Sequence, residues 1–263
     1  MQQIKKIMLH RFGKDLNQFK RPFLNRRINA RMRAVGVQDG SEYAKLLESD
    51  SNEPSLLFRS FSINVTEFYR DLFVWQHLSS QTVPQILQTS GGLPLKIWSA
   101  GCASGEEPYS LAILLKEAVG QNLKFNVVAT DINKEALQTA KKGQYTSANL
   151  KNLSPQLIEK YFVKINNDAY EIKDEIKKLV SFEQGDILSF QIDRANLITC
   201  RNVLIYYDKP AQEIVFKKFH KVLMKNGFLV IGQDETMMGV EASKMFSCIL
   251  PRERIYTKVI QHG

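Results

Sequence analysis

The stretch Leu95-Lys-Ile-Trp-Ser-Ala-Gly-Cys-Ala-Ser-Gly-Glu-Glu-Pro-Tyr109 decides the fold. Its apolar start reads as a strand, Gly101, Ala103, Ser104 and Gly105 make a small-residue turn, and the amphipathic run 109–119 after Pro108 reads as a helix. Small residues let the backbone approach a ligand closely, and a helix start offers free N–H groups. The spacing is not the G-x-G-x-x-G dinucleotide fingerprint, and no Lys-Ser/Thr pair makes a phosphate loop. Glu106 and Glu107 stand where a phosphate would have to sit. The turn therefore disfavours an anion and suits a ligand carrying ammonium or sulfonium charge.

Downstream of this turn the strand and helix patterns alternate. A strand over 125–130 ends at Asp131 and leads to a helix over 134–142; a strand over 179–183 is followed by Gly185-Asp186-Ile187; a strand over 195–200 runs into Arg201-Asn202. A helix over 211–224 capped at Gly227, a strand over 228–232 and a hairpin from 246–250 and 255–259 complete the chain. Repeated strand–helix units predict an α/β, doubly wound, mostly parallel sheet with an antiparallel final hairpin, and ligands at the carboxyl ends of its strands. Asp131 stands where a carboxylate accepts from two adjacent ribose hydroxyls. The polar stretch 166–178 reads as an exposed hairpin or insertion.

Upstream the composition changes. The whole chain carries a net charge of +9, and residues 1–36 account for it, with ten Lys/Arg against Asp15 alone. Leu24, Ile28, Met32 and Val35 repeat at helical spacing, leaving Arg26 and Arg33 facing away and Arg27 and Arg31 at the flanks. Further helices are expected around 42–48 and 55–63, so the first seventy or so residues read as a small helical bundle. Its basic surface favours an acidic partner, a merely solvated face being the alternative. In Asn64-Val-Thr-Glu-Phe-Tyr-Arg70, Asn64 or Thr66 could cap a helix and Arg70 could be an ordinary surface charge. Pro84, Gly91, Gly92 and Pro94 mark a connection between two domains.

Several classes are disfavoured. No apolar run approaches the roughly 20 residues of a membrane span, and the first residues lack the apolar core of a signal peptide, so a cytoplasmic protein without membrane insertion is expected. Cys102, Cys200 and Cys248 are too scattered for a disulfide framework, and His10, His77, His220 and His262 show no metal-ligand spacing, so no metal is expected.

Four motifs, Asn64-x-Thr66-x-Phe68-x-Arg70, Gly105-Glu-Glu-Pro-Tyr109, Ala129-Thr-Asp-Ile132 and Cys200-Arg-Asn-Val-Leu-Ile-Tyr-Tyr-Asp208, stand in order along the chain. With the basic N-terminus they closely resemble the chemotaxis receptor glutamate O-methyltransferases, the CheR family. The resemblance implies a class I S-adenosylmethionine-dependent methyltransferase domain preceded by a small all-α domain. It further implies methyl transfer to glutamate carboxylates on the cytoplasmic helical bundle of chemoreceptors, with S-adenosylhomocysteine as product. Carried over by motif, the cofactor site comprises Asn64, Thr66, Arg70, Glu107, Asp131, Asp186, Ile187, Arg201 and Asn202, and Arg70 and Tyr206 lie nearest the transferred methyl. Arg26, Arg27, Arg31 and Arg33 would dock the acidic receptor helices.

Family members that tether to a receptor's C-terminal pentapeptide use a glycine-containing loop in the inserted β-subdomain. The corresponding 163–170 has no glycine, which implies a pentapeptide-independent enzyme. Gly232-Gln-Asp-Glu-Thr236 departs from the Gly-His-Ser-Glu often found in the family. The expected organisation is a basic helical domain over 1–72, a linker over 73–95, and a methyltransferase domain over 96–263 with a β insertion at about 163–180. A monomer is expected. The rival readings are a nucleic-acid methyltransferase, disfavoured because Arg201-Asn-Val-Leu replaces an Asn/Asp-Pro-Pro-aromatic motif, and a non-catalytic docking protein that retains the cofactor fold.

Overall fold

The structure, a computed structural model, describes residues 1–63, 65–119 and 124–259. Its contacts divide the chain into two units, Met1–Ile63 with Ile205–Gln212, and Asn64–Leu204 with Glu213–Gly263.

The first unit is helical. It contains α1 (Gln2–Phe12), α2 (Arg21–Ala34), α3 (Gly40–Ser49) and α4 (Glu53–Arg59). Gly13 ends α1 in the left-handed region at φ 64°, and Pro22 opens α2, where its missing N–H costs nothing. The Asp39 carboxylate caps α3 by accepting from the Ser41 and Glu42 N–H groups. Ile4, Met8, Leu24, Ile28, Tyr43, Leu47 and Leu57 form the core. Residues 205–212, expected with the methyltransferase domain, are built into this unit instead. Lys20 N–H donates to the Tyr206 carbonyl and Asp208 N–H to the Gln18 carbonyl, while the Tyr207 ring lies 5.1 Å from Phe19. A strand-to-helix connection has thus become part of a helical core through two backbone bonds and aromatic burial.

The second unit begins with α5 (Leu72–His77), a π-helical turn (Leu78–Thr82) and α6 (Val83–Thr89). These residues lie in the stretch expected as a linker. Val74, Trp75, Leu78, Val83 and Ile86 are buried in the core at helical spacing, and helical backbone runs unbroken from the π-helical turn through Thr82 and Val83 into Pro84. Next in order come β1 (Leu95–Ala100), α7 (Glu106–Val119), β2 (Phe125–Asp131), α8 (Lys134–Lys142), β3 (Gln144–Thr146), α9 (Pro155–Tyr161), β4 (Phe162–Lys164), β5 (Ala169–Ile172), α10 (Asp174–Lys177) and β6 (Val180–Gln184). They are followed by β7 (Ala195–Cys200), α11 (Lys209–Val222, which belongs to this unit from Glu213 on), β8 (Leu223–Ile231), β9 (Phe246–Leu250) and β10 (Ile255–Lys258).

Seven strands form one sheet in the order β6-β2-β1-β7-β8-β10-β9. The pairs from β6 to β8 are parallel, and β10 is antiparallel to both β8 and β9. The doubly wound layout with a final hairpin is therefore as expected. Strand order reverses about β1, which opens a crevice beyond the carboxyl ends of β1 and β7.

Two local expectations fail. The insertion is a separate antiparallel sheet, β3-β5-β4, that starts at Gln144, and α10 occupies its expected end. The helix expected to run to residue 224 ends at Val222, because Leu223 already pairs with Ala195 in the sheet. Gly227 is not a helix cap; a Cβ there would stand 3.0 Å from the Asn196 carbonyl, at the irregular pairing between β7 and β8.

Candidate functional site

β1 pairs in register with β2, so the turn after Ala100 lies beside Thr130 and Asp131. The N–H groups of Gly101 and Cys102 both donate to the Thr130 carbonyl, and the Asp131 carboxylate accepts from Ala103 N–H at 2.9 Å and Asn133 N–H at 2.8 Å. Gly101 and Gly105 take φ of 85° and 97°, and no side chain would fit at either. A Cβ at Gly101 would fall 2.3 Å from Val203 Cγ2, and one at Gly105 2.8 Å from Ala140 Cβ. Sequence reading explained these glycines by ligand approach; in the structure protein atoms fill the space.

Glu107, in the first turn of α7, is held from the strand ends. Its Oε1 accepts from Ser99 Oγ at 2.7 Å and Thr199 Oγ1 at 2.6 Å, and its Oε2 lies 3.6 Å from the Arg201 guanidinium. Arg201, at the end of β7, also donates to Asp71 Oδ2 at 2.7 Å and to the Arg70 carbonyl at 2.9 Å, with its guanidinium over the Trp75 ring. Its side chain is only 3% exposed, and its Nε is buried with no hydrogen-bond partner among the described residues. Ser99, Thr199 and Asp71 went unnoticed in the sequence. Their signal was position: two hydroxyls at parallel strand ends facing the same acid.

Arg70 sits between Tyr69 and Asp71, which adopt φ of 51° and 59°. Left-handed backbone at two non-glycine residues persists only where the surroundings over-determine it. Here Tyr69 N–H donates to Ser110 Oγ, Phe68 N–H to the Asn149 carbonyl, and Trp75 Nε1 to the Arg70 carbonyl. The Arg70 guanidinium donates to the Val65 carbonyl at 3.0 Å. Thr66 is half-buried in the same segment, and Asn64 lies outside the described residues. Asp186 follows β6, which reaches Asp131 through Gly185 N–H and the Asp131 carbonyl; it is half-buried, and Ile187 beside it is buried. Glu107, Asp131, Arg201 and Arg70 are thus drawn together by direct contacts and strand ends, with Asp186 two residues beyond β6. Tyr206 belongs to the helical unit, where its ring stacks on Phe23 at 4.5 Å.

The local electrostatics disfavour thiol chemistry. Burial, with Asp131 and Glu107 nearby, pushes the Cys102 thiol well up, and burial with Glu235 and Glu107 does the same to Cys200. Burial also raises the carboxyl of Glu106, which accepts from Ser104 Oγ at 2.7 Å and Asn149 Nδ2 at 3.2 Å. Glu106 faces the β3 side of the turn and does not share the pairing of Glu107.

A family model described as "CheR methyltransferase, SAM binding domain" matches residues 64–253, and one described as "CheR methyltransferase, all-alpha domain" matches residues 1–62. The chain belongs to the CheR methyltransferase family. It is similar to the "Chemotaxis protein methyltransferase" of Borreliella burgdorferi, 32% identical over 257 residues that make up 94% of this chain and 90% of that protein. The proteins of the same description from Listeria innocua (32% identical; 89% of this chain, 88% of theirs) and Salmonella typhimurium (31%; 89% and 82%) are further relatives. This CheR chain is a methyltransferase whose methyl donor is S-adenosylmethionine. The strand ends suit a cationic donor in charge, since Glu107 carries an Oε2 whose protein contact is long, at 3.6 Å.

Proposed function

We propose that this protein methylates the side-chain carboxylates of glutamates on the cytoplasmic helical bundle of chemoreceptors. The observation that carries the reading is the cluster at the strand ends, where Arg70 is fixed through its backbone by Arg201 and Trp75 next to the Glu107 anchor. S-adenosylmethionine supplies the methyl on a sulfonium centre. Glu107 would pair with its ammonium group and Asp131 would accept from its ribose hydroxyls. Asp186 and Ile187 would border its adenine, and Asn64, Thr66, Arg201 and Asn202 would complete the site.

A glutamate acceptor is ionised at neutral pH, so no proton has to be removed before it attacks. What the chain must supply is alignment and exclusion of water, and orientation contributes as much as ~7–11 kcal/mol in the best intramolecular cases. Arg70 and Tyr206 are proposed to orient the reacting groups by charge and hydrogen bonding and not as acid and base. Docking of the acidic receptor helices falls to Arg26, Arg27 and Arg33. Arg31, expected in that set, is committed elsewhere: its guanidinium forks onto Glu53, with Nε 3.0 Å from Oε1. The same Glu53 oxygen accepts from Tyr43 Oη at 2.6 Å.

The connection between β4 and β5 is closed by Ile165 N–H to the Ala169 carbonyl and carries no glycine, which supports action without a pentapeptide tether; the protein is proposed to act as a monomer. The test is incubation with methyl-labelled S-adenosylmethionine and receptor-containing membranes, with and without the receptor's C-terminal extension. Base-labile label released as methanol, equal for both receptors, is expected. Label in amines or nucleic acid would sink the substrate assignment, and dependence on the extension would sink tether independence.

A further inference from the structure

The loop that leaves β7 is held by an acid to which neither the motifs nor the proposed site gives a role. Glu235 follows β8 and is 3% exposed. Its Oε1 accepts from the N–H groups of Val203 at 2.7 Å and Leu204 at 2.6 Å, and its Oε2 from Gly232 N–H at 2.5 Å. A turn closed by Glu235 N–H donating to the Gly232 carbonyl folds the side chain back onto this loop. Because Cys200 is in register with Ile231, Arg201 and Gly232 leave the sheet side by side. A Cβ on Gly232 would stand 2.6 Å from Asn202 N and 2.8 Å from Glu235 Oε2. Asn202 sits in the left-handed region at φ 62°, which asparagine adopts more readily than other side chains.

We propose that Glu235 is a positioning residue for the methyl donor: by clamping the backbone of residues 201–204, it sets Arg201 and Asn202 and seats Val203 against Gly101. The inference rests on the assignment of Arg201 and Asn202 to the donor site. Only a carboxylate of this length serves the clamp. All the backbone groups that meet it are donors, so an amide would turn its own N–H groups against one of them, and aspartate would fall one methylene short. The departure at Gln233-Asp234 is then accommodated, because the clamp uses Gly232 and Glu235, and Asp234 points to solvent.

The test compares wild type with Glu235→Gln, Glu235→Asp and Gly232→Ala, and with Ile86→Ala in α6 as a control that weakens the core away from the loop. S-adenosylmethionine affinity is measured by calorimetry, stability by urea unfolding, and KM for receptor by methyl transfer. The three clamp variants are expected to raise the Kd for S-adenosylmethionine tenfold or more while KM for receptor stays near wild type. The control should lose stability and keep its affinity. Wild-type affinity in Glu235→Gln overturns the proposal, as does a loss of affinity in Ile86→Ala matching that of the clamp variants, since a purely structural role would give that pattern. If Glu235→Gln does not fold, Glu235→Asp and Gly232→Ala carry the same comparison. Undiminished affinity in Asn202→Ala would instead sink the assignment of the loop to the donor site, which separates the two failures.

Discussion

The strand ends of the sheet unit and the arginine helix of the helical unit use charge in opposite ways. At the strand ends charged groups are tied to named partners: Glu107 to Ser99, Thr199 and Arg201, and Arg201 in turn to Asp71 and the Arg70 carbonyl. On α2, Arg26 and Arg33 are exposed, and Arg27 lies half-buried over the Phe23 ring at 5.2 Å. Fixed charges define where a ligand atom must sit. Loose ones attract a partner from a distance without defining its pose, and salt screens them within about 10 Å. Arg31 shows that the division does not follow secondary structure, since it lies on the loose helix and is as firmly tied as Arg201.

The largest expected effect tests the fixed side. Glu107→Gln keeps the shape and removes the charge, so affinity for S-adenosylmethionine should fall by about 10–100-fold, the worth of a charge-assisted bond. Calorimetry returning wild-type affinity would break the comparison at its strongest point. Next comes the tied charge on the loose helix. Glu53→Gln should lower stability by about 2–3 kcal/mol in urea unfolding, less than for a fully buried pair because the Arg31 side chain is 22% exposed. A change near zero would return Arg31 to the docking set.

A third test uses pH. Burial raises the Glu106 carboxyl in the folded state, so its contribution to stability is fully present below the unfolded value of about 4.3 and is lost as pH rises through the folded one. Glu106→Gln should therefore show a smaller loss of stability across that interval than wild type, in unfolding curves taken at several pH values. Parallel curves would mean that the site is wetter than its burial indicates. The smallest effect belongs to Arg33→Ala. Stability should change by less than about 0.5 kcal/mol, while receptor binding becomes less sensitive to salt. An unaltered salt dependence would remove Arg33 from the docking surface.

Much of this was legible in the sequence, for reasons that differ by region. The β1–α7 turn could be read because an apolar run, small residues and an acidic helix start coincide within fifteen residues, and because Asp131 ends a clean strand. The engagement of Arg31 could not be read, since Glu53 lies 22 residues away and nothing local marks it as buried. Residues 73–95 misled through Pro84 and the two glycines, although Val74, Leu78 and Ile86 carried the helical spacing throughout. The boundary at Leu223 was hidden because pairing with β7, a tertiary event, overrides the helical pattern of the preceding turn. The role of Glu235 could not be read from its motif because its partners are backbone N–H groups, which leave no mark on residue identity.

The contact between Gly101 and Val203 has a consequence for variation. A methyl group at 101 would need the volume that Val203 Cγ2 already occupies, 2.3 Å away, so the two positions behave as one shared allotment of space. Any lineage or library that enlarges residue 101 needs a smaller residue at 203 in the same molecule, and even then carries the strain of a side chain at φ 85°. Bulk added at 101 alone should be purged, however well the new side chain suits a methyl donor.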